Sequence, residues 1–189
     1  VIAFKNNLDD ASPSLRTAAV VVGPLVELLR QLGEVIDSFS DEQYLRKSVC
    51  GVANSAGAHV RHSLDHIEAL LDGARTGVVD YEHRRRDLDV AGDRSAARML
   101  IRQLVQRLLA EPVPVLRPAL HVSVVLNSLG EAVNVATNFE RELAFVLSHT
   151  IHHNSLIAVV ATALGVPLPQ YFGYAPATIA RLEKTRCVR

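Results

Sequence analysis

Two stretches that read as apolar helices each carry three histidines on one face, and this pairing restricts the chain more than any other feature. Six of the eight histidines fall in AHVRHSLDH (Ala58 to His66) and SHTIHHN (Ser148 to Asn154). His59, His62 and His66 stand at i, i+3 and i+7, and His149, His152 and His153 at i, i+3 and i+4. At 3.6 residues per turn each set shares one helical face. Neutral imidazole is the commonest side-chain ligand for zinc, nickel, iron and copper, and an i, i+4 pair offers two ring nitrogens to one ion. A third histidine from a facing helix completes a facial triad, so the pattern suggests a metal site between two helices.

The rest of the chain narrows the function classes. Its 189 residues suffice for one well-filled domain, and 20 basic residues balance 20 acidic ones. No basic excess marks a phosphate-binding surface, and without tryptophan there is little aromatic platform for stacking bases, so nucleic acid is not expected as a partner. The longest strongly apolar run, Ala18 to Leu29, is broken by Gly23-Pro24 and carries Glu27. It falls short of the roughly 20 residues needed to cross a bilayer, and nothing at the amino terminus resembles a secretory leader. A soluble, cytoplasmic protein without a membrane partner is the expectation. Cys50 and Cys187 have no CxxC spacing and read as free thiols.

Along the chain, Ser12-Pro13-Ser14 reads as a helix start, with an apolar face through Val26, Leu29, Leu32 and Ile36. Gly23-Pro24 should kink this helix or mark its real beginning. A short helical piece passes through Tyr44 and Leu45. Ser55 caps a second long helix that runs to Leu71 and ends at Asp72-Gly73. Residues 77–93, with His83-Arg84-Arg85-Arg86, read as an exposed connection. A third helix from about Ser95 to Ala110 should bury Met99, Leu100, Leu104, Leu108 and Leu109, and Pro112, Pro114 and Pro118 end it. His121 to Leu126 and Ala132 to Ala136 flank Asn127-Ser128-Leu129-Gly130 and look like a hairpin or a loop imitating one. Phe139 to Leu164 forms the longest helix, closed by Gly165 and Pro167, and a last turn or two starts at Pro176. Four principal helices in one domain spanning residues 1–189 predict an all-α antiparallel four-helix bundle with a small hairpin-like insertion before the last long helix. Metal sites in such bundles are built across the core.

The segments SAGAHVRHSLDHIEALLDG (Ser55 to Gly73) and RELAFVLSHTIHHNSLI (Arg141 to Ile157) resemble the DinB/YfiT-like superfamily of metal-binding four-helix bundles. The resemblance runs over essentially the whole chain in helix order and length. It implies a histidine from the second helix and an HxxxH pair from the last long helix as ligands, here His62, His149 and His153. It also implies a divalent transition metal, with zinc, nickel, iron and manganese all admissible, and a homodimer, which the apolar surplus of the first helix favours as well. Characterised members handle thiols, so the implied activity is S-transfer to a small-molecule substrate, with a low-molecular-weight thiol as co-substrate. Three neutral histidines leave positions open for water or sulfur.

The neighbouring groups carry alternatives. His59, His66 and His152 fit roles beside the ligands or on the surface. His66, one turn beyond His62, could act as acid or base, and so could Glu142, seven residues before His149; a carboxylate orienting an imidazole is the plainer role for Glu142. Asp65 reads as a surface acid or one orienting a ligand. Thr150 stands where a zincin needs its glutamate, which weakens a peptidase reading. Arg84, Arg85 and Arg86 could clamp an anion, although a charge run in a loop is usually solvated. Tyr81 and Tyr171 to Tyr174 could wall a pocket or pack on helix ends. His121 reads as a strand residue and His83 as a loop residue. Two other functions stay open: a non-catalytic metal-binding or interaction protein, and a metal-dependent hydrolase.

Overall fold

A computed structural model describes residues 13–84, 88–110 and 120–186. Arg85, Arg86, Pro112, Pro114, Pro118 and Cys187 lie outside the described residues. The elements in order are α1 (Pro13–Ser38), α2 (Asp41–Leu45), α3 (Ala56–Thr76), β1 (Val78–Asp80), α4 (Leu88–Gly92), α5 (Arg94–Ala110), β2 (Leu120–Val125), β3 (Ala132–Thr137), α6 (Phe139–Ala163) and α7 (Pro176–Arg186).

The expectation of an all-α four-helix bundle is therefore corrected. Seven helices among the described residues accompany a three-stranded mixed sheet of order β1-β2-β3. β2 and β3 are antiparallel, with Leu120 opposite Thr137 and Val125 opposite Ala132. β1 lies parallel to β2, with Val79 opposite Val122. The strand that makes this sheet mixed comes from a segment that reads as polar connection. Only three residues of it pair, and they pair with a partner about forty positions away, so no local periodicity announces them.

α3 also runs past its expected stop at Asp72-Gly73. Ser55 accepts from the Ala58 amide at 3.2 Å to start it, and Gly77, at φ 95°, ends it with its amide on the Gly73 carbonyl. Gly73 serves packing rather than termination: a Cβ there would stand 2.6 Å from the Val79 Cα. α1 continues through Pro24, whose ring is exposed while Leu25, Val26 and Leu29 are buried on the opposite side. From Val22 onward, Leu25, Val26, Leu29, Leu32, Val35 and Ile36 of α1 are inside and Leu28 is half-buried.

The core lies between α1, α3, α5 and α6, with Leu25, Leu32, Leu64, Ile67, Leu143 and Ile157 fully buried. Each such side chain contributes about 1.5–3 kcal/mol through removal from water. In α5 the buried set is Ala97, Ile101, Leu104 and Leu108, at helical spacing, whereas Met99 and Leu109 face solvent. α6 is the one helix among the described residues long and apolar enough to cross a membrane, and its histidine-bearing face packs on α3. That packing, the most extensive between helices among the described residues, sets the site.

Candidate metal centre

Helix caps fix the register of both histidine sets. Ser55 starts α3 four residues before His59, and Asn138 starts α6 by accepting from the Arg141 amide at 2.8 Å. With the two helices face to face, His62 meets His149 and His153. One ring nitrogen from each of the three lies within 4.8 Å of the others. Ring centroids are 5.0 Å apart for His62 and His149, 4.5 Å for His62 and His153, and 4.6 Å for His149 and His153.

Donor type and spacing fit a small divalent ion. Tetrahedral coordination at about 2.0–2.1 Å sets nitrogens roughly 3.3 Å apart, so small ring rotations close the gap. His149 Nε2 is buried with no hydrogen-bond partner among the described residues, as a nitrogen reserved for an ion would be. Electrostatics keeps the rings neutral, the form that ligates. Burial first, then His66, the guanidinium of Arg84, His149 and Arg61, lowers His62 to about 3. Burial with the surrounding histidines lowers His153 to about 3. His149 is lowered by burial, by His152 and by Arg84.

The flanking groups are tied in definite ways. His59 Nδ1 lies 3.0 Å from His153 Nδ1, with both residues buried. His66 donates from Nδ1 to the His62 carbonyl at 2.8 Å, because a carbonyl can only accept. Its Nε2 lone pair then accepts from the Arg84 guanidinium at 3.2 Å. Both nitrogens of His66 are thus engaged, although its ring lies only 4.1 Å from that of His149. Arg84 also donates to the Tyr81 carbonyl. Burial lowers His66 to about 3, against the raising effect of its bond to the His62 carbonyl.

Glu142 is buried, and each of its oxygens has a donor: the Tyr81 hydroxyl at 2.9 Å and the Thr137 hydroxyl at 2.7 Å. Tyr81 in turn stacks on His66, with centroids 5.2 Å apart and planes 20° apart. Burial, and then the Glu142 carboxylate, raises the Tyr81 hydroxyl well above its usual range, so it stays a donor. The chain Thr137, Glu142, Tyr81, His66 therefore braces the strands against the histidine cluster. Tyr81 and Thr137 are the residues whose part in this brace sequence reasoning missed. The available signal was a tyrosine two residues after Val79, just past a short strand.

The other candidates are dispersed. His152 is exposed beside His153, at a centroid distance of 5.0 Å. Asp65 is buried rather than on the helix surface, and Arg61 approaches it at 3.7 Å. His83 pairs with Asp80 in an exposed turn at 2.8 Å, and His121 lies exposed on β2. Tyr171 and Tyr174 pack on each other with ring centroids 6.0 Å apart, Tyr174 lines a surface cavity with Ser155, Phe172 and Cys50, and Cys50 is an exposed free thiol.

Among known proteins, the chain is similar to FK506-binding protein 5 of Rhizopus delemar, at 30% identity over 112 residues, which is 57% of this chain and 28% of that relative. The chain thus spans little more than a quarter of the relative's length, and the binding named there belongs to that protein. No family model matches the chain, and no solved structure does.

Proposed function

We propose that this chain is a metal-dependent enzyme acting on small molecules, with His62, His149 and His153 holding one divalent zinc, nickel, iron or manganese ion and thiol S-transfer as the reaction. The observation that carries the reading is the convergence of three neutral histidine nitrogens, from two facing helices, within 4.8 Å of one another. A bound ion would supply Lewis acidity that favours thiolate over thiol at neutral pH. The protein's part is to orient and to exclude water. His66 and Glu142 have every ring nitrogen or carboxylate oxygen in a hydrogen bond, so in this reading they hold the site in shape and do not carry protons. In the transfer the thiol proton leaves to solvent, a sulfur–carbon bond forms, and the leaving group departs from the electrophilic carbon.

The same engagement favours catalysis over a structural staple. A structural zinc site normally closes with four protein ligands, and His66 and Glu142, the candidates for a fourth, are engaged in other hydrogen bonds. A hydrolase would need a free base next to metal-bound water, which His66 in its present bonds does not offer.

The test is conjugation of a low-molecular-weight thiol to an aromatic halide such as 1-chloro-2,4-dinitrobenzene, with protein loaded in turn with each of the four metals. Metal-dependent conjugation absent in His62→Ala is the expected result. Conjugation no faster than the free thiol with every metal and with glutathione, mycothiol and bacillithiol would overturn S-transfer.

A further inference from the structure

From the contact between His59 and His153 we infer that His59 is a positioning residue, a neutral imidazole that accepts the Nδ1 proton of His153 and so aims the His153 Nε2 lone pair at the triad. The inference rests on the metal reading above and names a residue that reading does not use. Its basis is geometric. His59 and His153 approach Nδ1 to Nδ1 at 3.0 Å, with ring centroids 5.2 Å apart and planes 34° apart. Only one proton fits between two such nitrogens, so one ring donates and the other accepts.

The direction follows from the chemistry of the triad. A neutral imidazole carries one N–H and one lone pair. With Nδ1 of His153 taken up by His59, Nε2 is the nitrogen left to serve as a donor atom, and it must then be unprotonated. The His153 proton therefore sits on Nδ1, the His59 Nδ1 accepts it, and the His59 proton sits on its buried Nε2, which has no hydrogen-bond partner among the described residues.

Ligating histidines almost always hand their other N–H to a carboxylate, a carbonyl or water, and losing that partner typically costs 10–100-fold in metal affinity. Here an imidazole takes that place. The buried carboxylates among the described residues have other partners, Tyr81 and Thr137 for Glu142 and Arg61 for Asp65. A neutral acceptor fixes the ring without adding negative charge, so the ion's electrophilicity is not offset.

Two readouts test this. Cobalt(II) titration followed by visible absorption should show one ion per chain in the wild type. His59→Leu, which keeps bulk but has no acceptor, should bind about 10–100-fold more weakly. His59→Asn, whose Oδ1 stands near the position of Nδ1, should bind within about threefold of the wild type. In the zinc-loaded wild type, long-range proton–nitrogen correlation spectra should show His153 protonated on Nδ1 and His59 on Nε2. A His59→Leu variant that binds as tightly as the wild type, or an Asn variant as weak as the Leu one, would overturn the positioning role while leaving the triad standing. So would a His153 proton on Nε2, a result that needs no variant to fold. A wild type that takes up no cobalt or zinc would remove the metal reading, and this inference with it.

Discussion

At the scale of single residues, the cluster divides into nitrogens with bonds to other groups and nitrogens without them. His66 has none to spare, Glu142 has no free oxygen, and His149 keeps a buried Nε2 without a partner among the described residues. Removing one partner of such a network costs more than an average hydrogen bond, because the group left behind remains buried. Tyr81→Phe leaves the Glu142 carboxylate with Thr137 alone, and the protein should lose about 1.5–3 kcal/mol of stability. Urea denaturation of the metal-free variant beside the wild type measures it, and an unchanged midpoint would mean that the carboxylate finds another donor. The spacing of the histidines in sequence put His62, His149 and His153 on faces that could meet, but it could not say what each second nitrogen touches. The His59 to His153 bond depends on how far the two helices are rotated toward each other, and spacing along one helix does not set that rotation.

At the scale of elements, α3 and α6 were legible because their signals are local. Ser55 and Asn138 cap their starts, and the apolar positions recur at helical spacing between those caps and the closing glycines. Where the signal is not local, the reading departs from the structure. β1 is defined by pairing to β2, and Gly73, which resembles a helix stop, is small so that β1 can lie against α3. The buried face of α5 differs for a related reason: Met99 and Leu109 are apolar, but α1 and α3 take the stripe through Ala97, Ile101, Leu104 and Leu108. Gly73→Ala should therefore push β1 off the helix. An overpacked contact of this kind typically costs 1–3 kcal/mol, with about 2 kcal/mol expected here. Thermal unfolding would report the loss, and faster amide exchange at Val79 would place it on the strand. Stability equal to the wild type would show that the strand can move aside at no cost.

At the scale of the whole molecule, the protein carries several imidazoles that the fold keeps neutral. His62, His66 and His153 are lowered from 6.5 to about 3, chiefly by burial. Between those values the unfolded chain binds more protons than the folded one, so stability rises with pH across that window. For the metal-free protein the contribution is complete above about pH 6.5 and is lost as pH falls toward 3. The urea midpoint should drop across this range more steeply in the wild type than in a variant with His62 and His66 replaced by glutamine. Equal slopes would place the acid sensitivity in other groups. The mixed sheet belongs to this scale too, since it carries Thr137 and, just past β1, Tyr81, and so holds the polar brace on one side of the histidine cluster.

The measurement that bears most directly on the metal centre is elemental analysis of the purified, untagged protein beside the His149→Ala/His153→Ala double variant, after both are reconstituted with zinc and desalted. About one ion per chain in the wild type and none in the double variant is the predicted result. No ion in either, or an equal content in both, would contradict a site built from His62, His149 and His153.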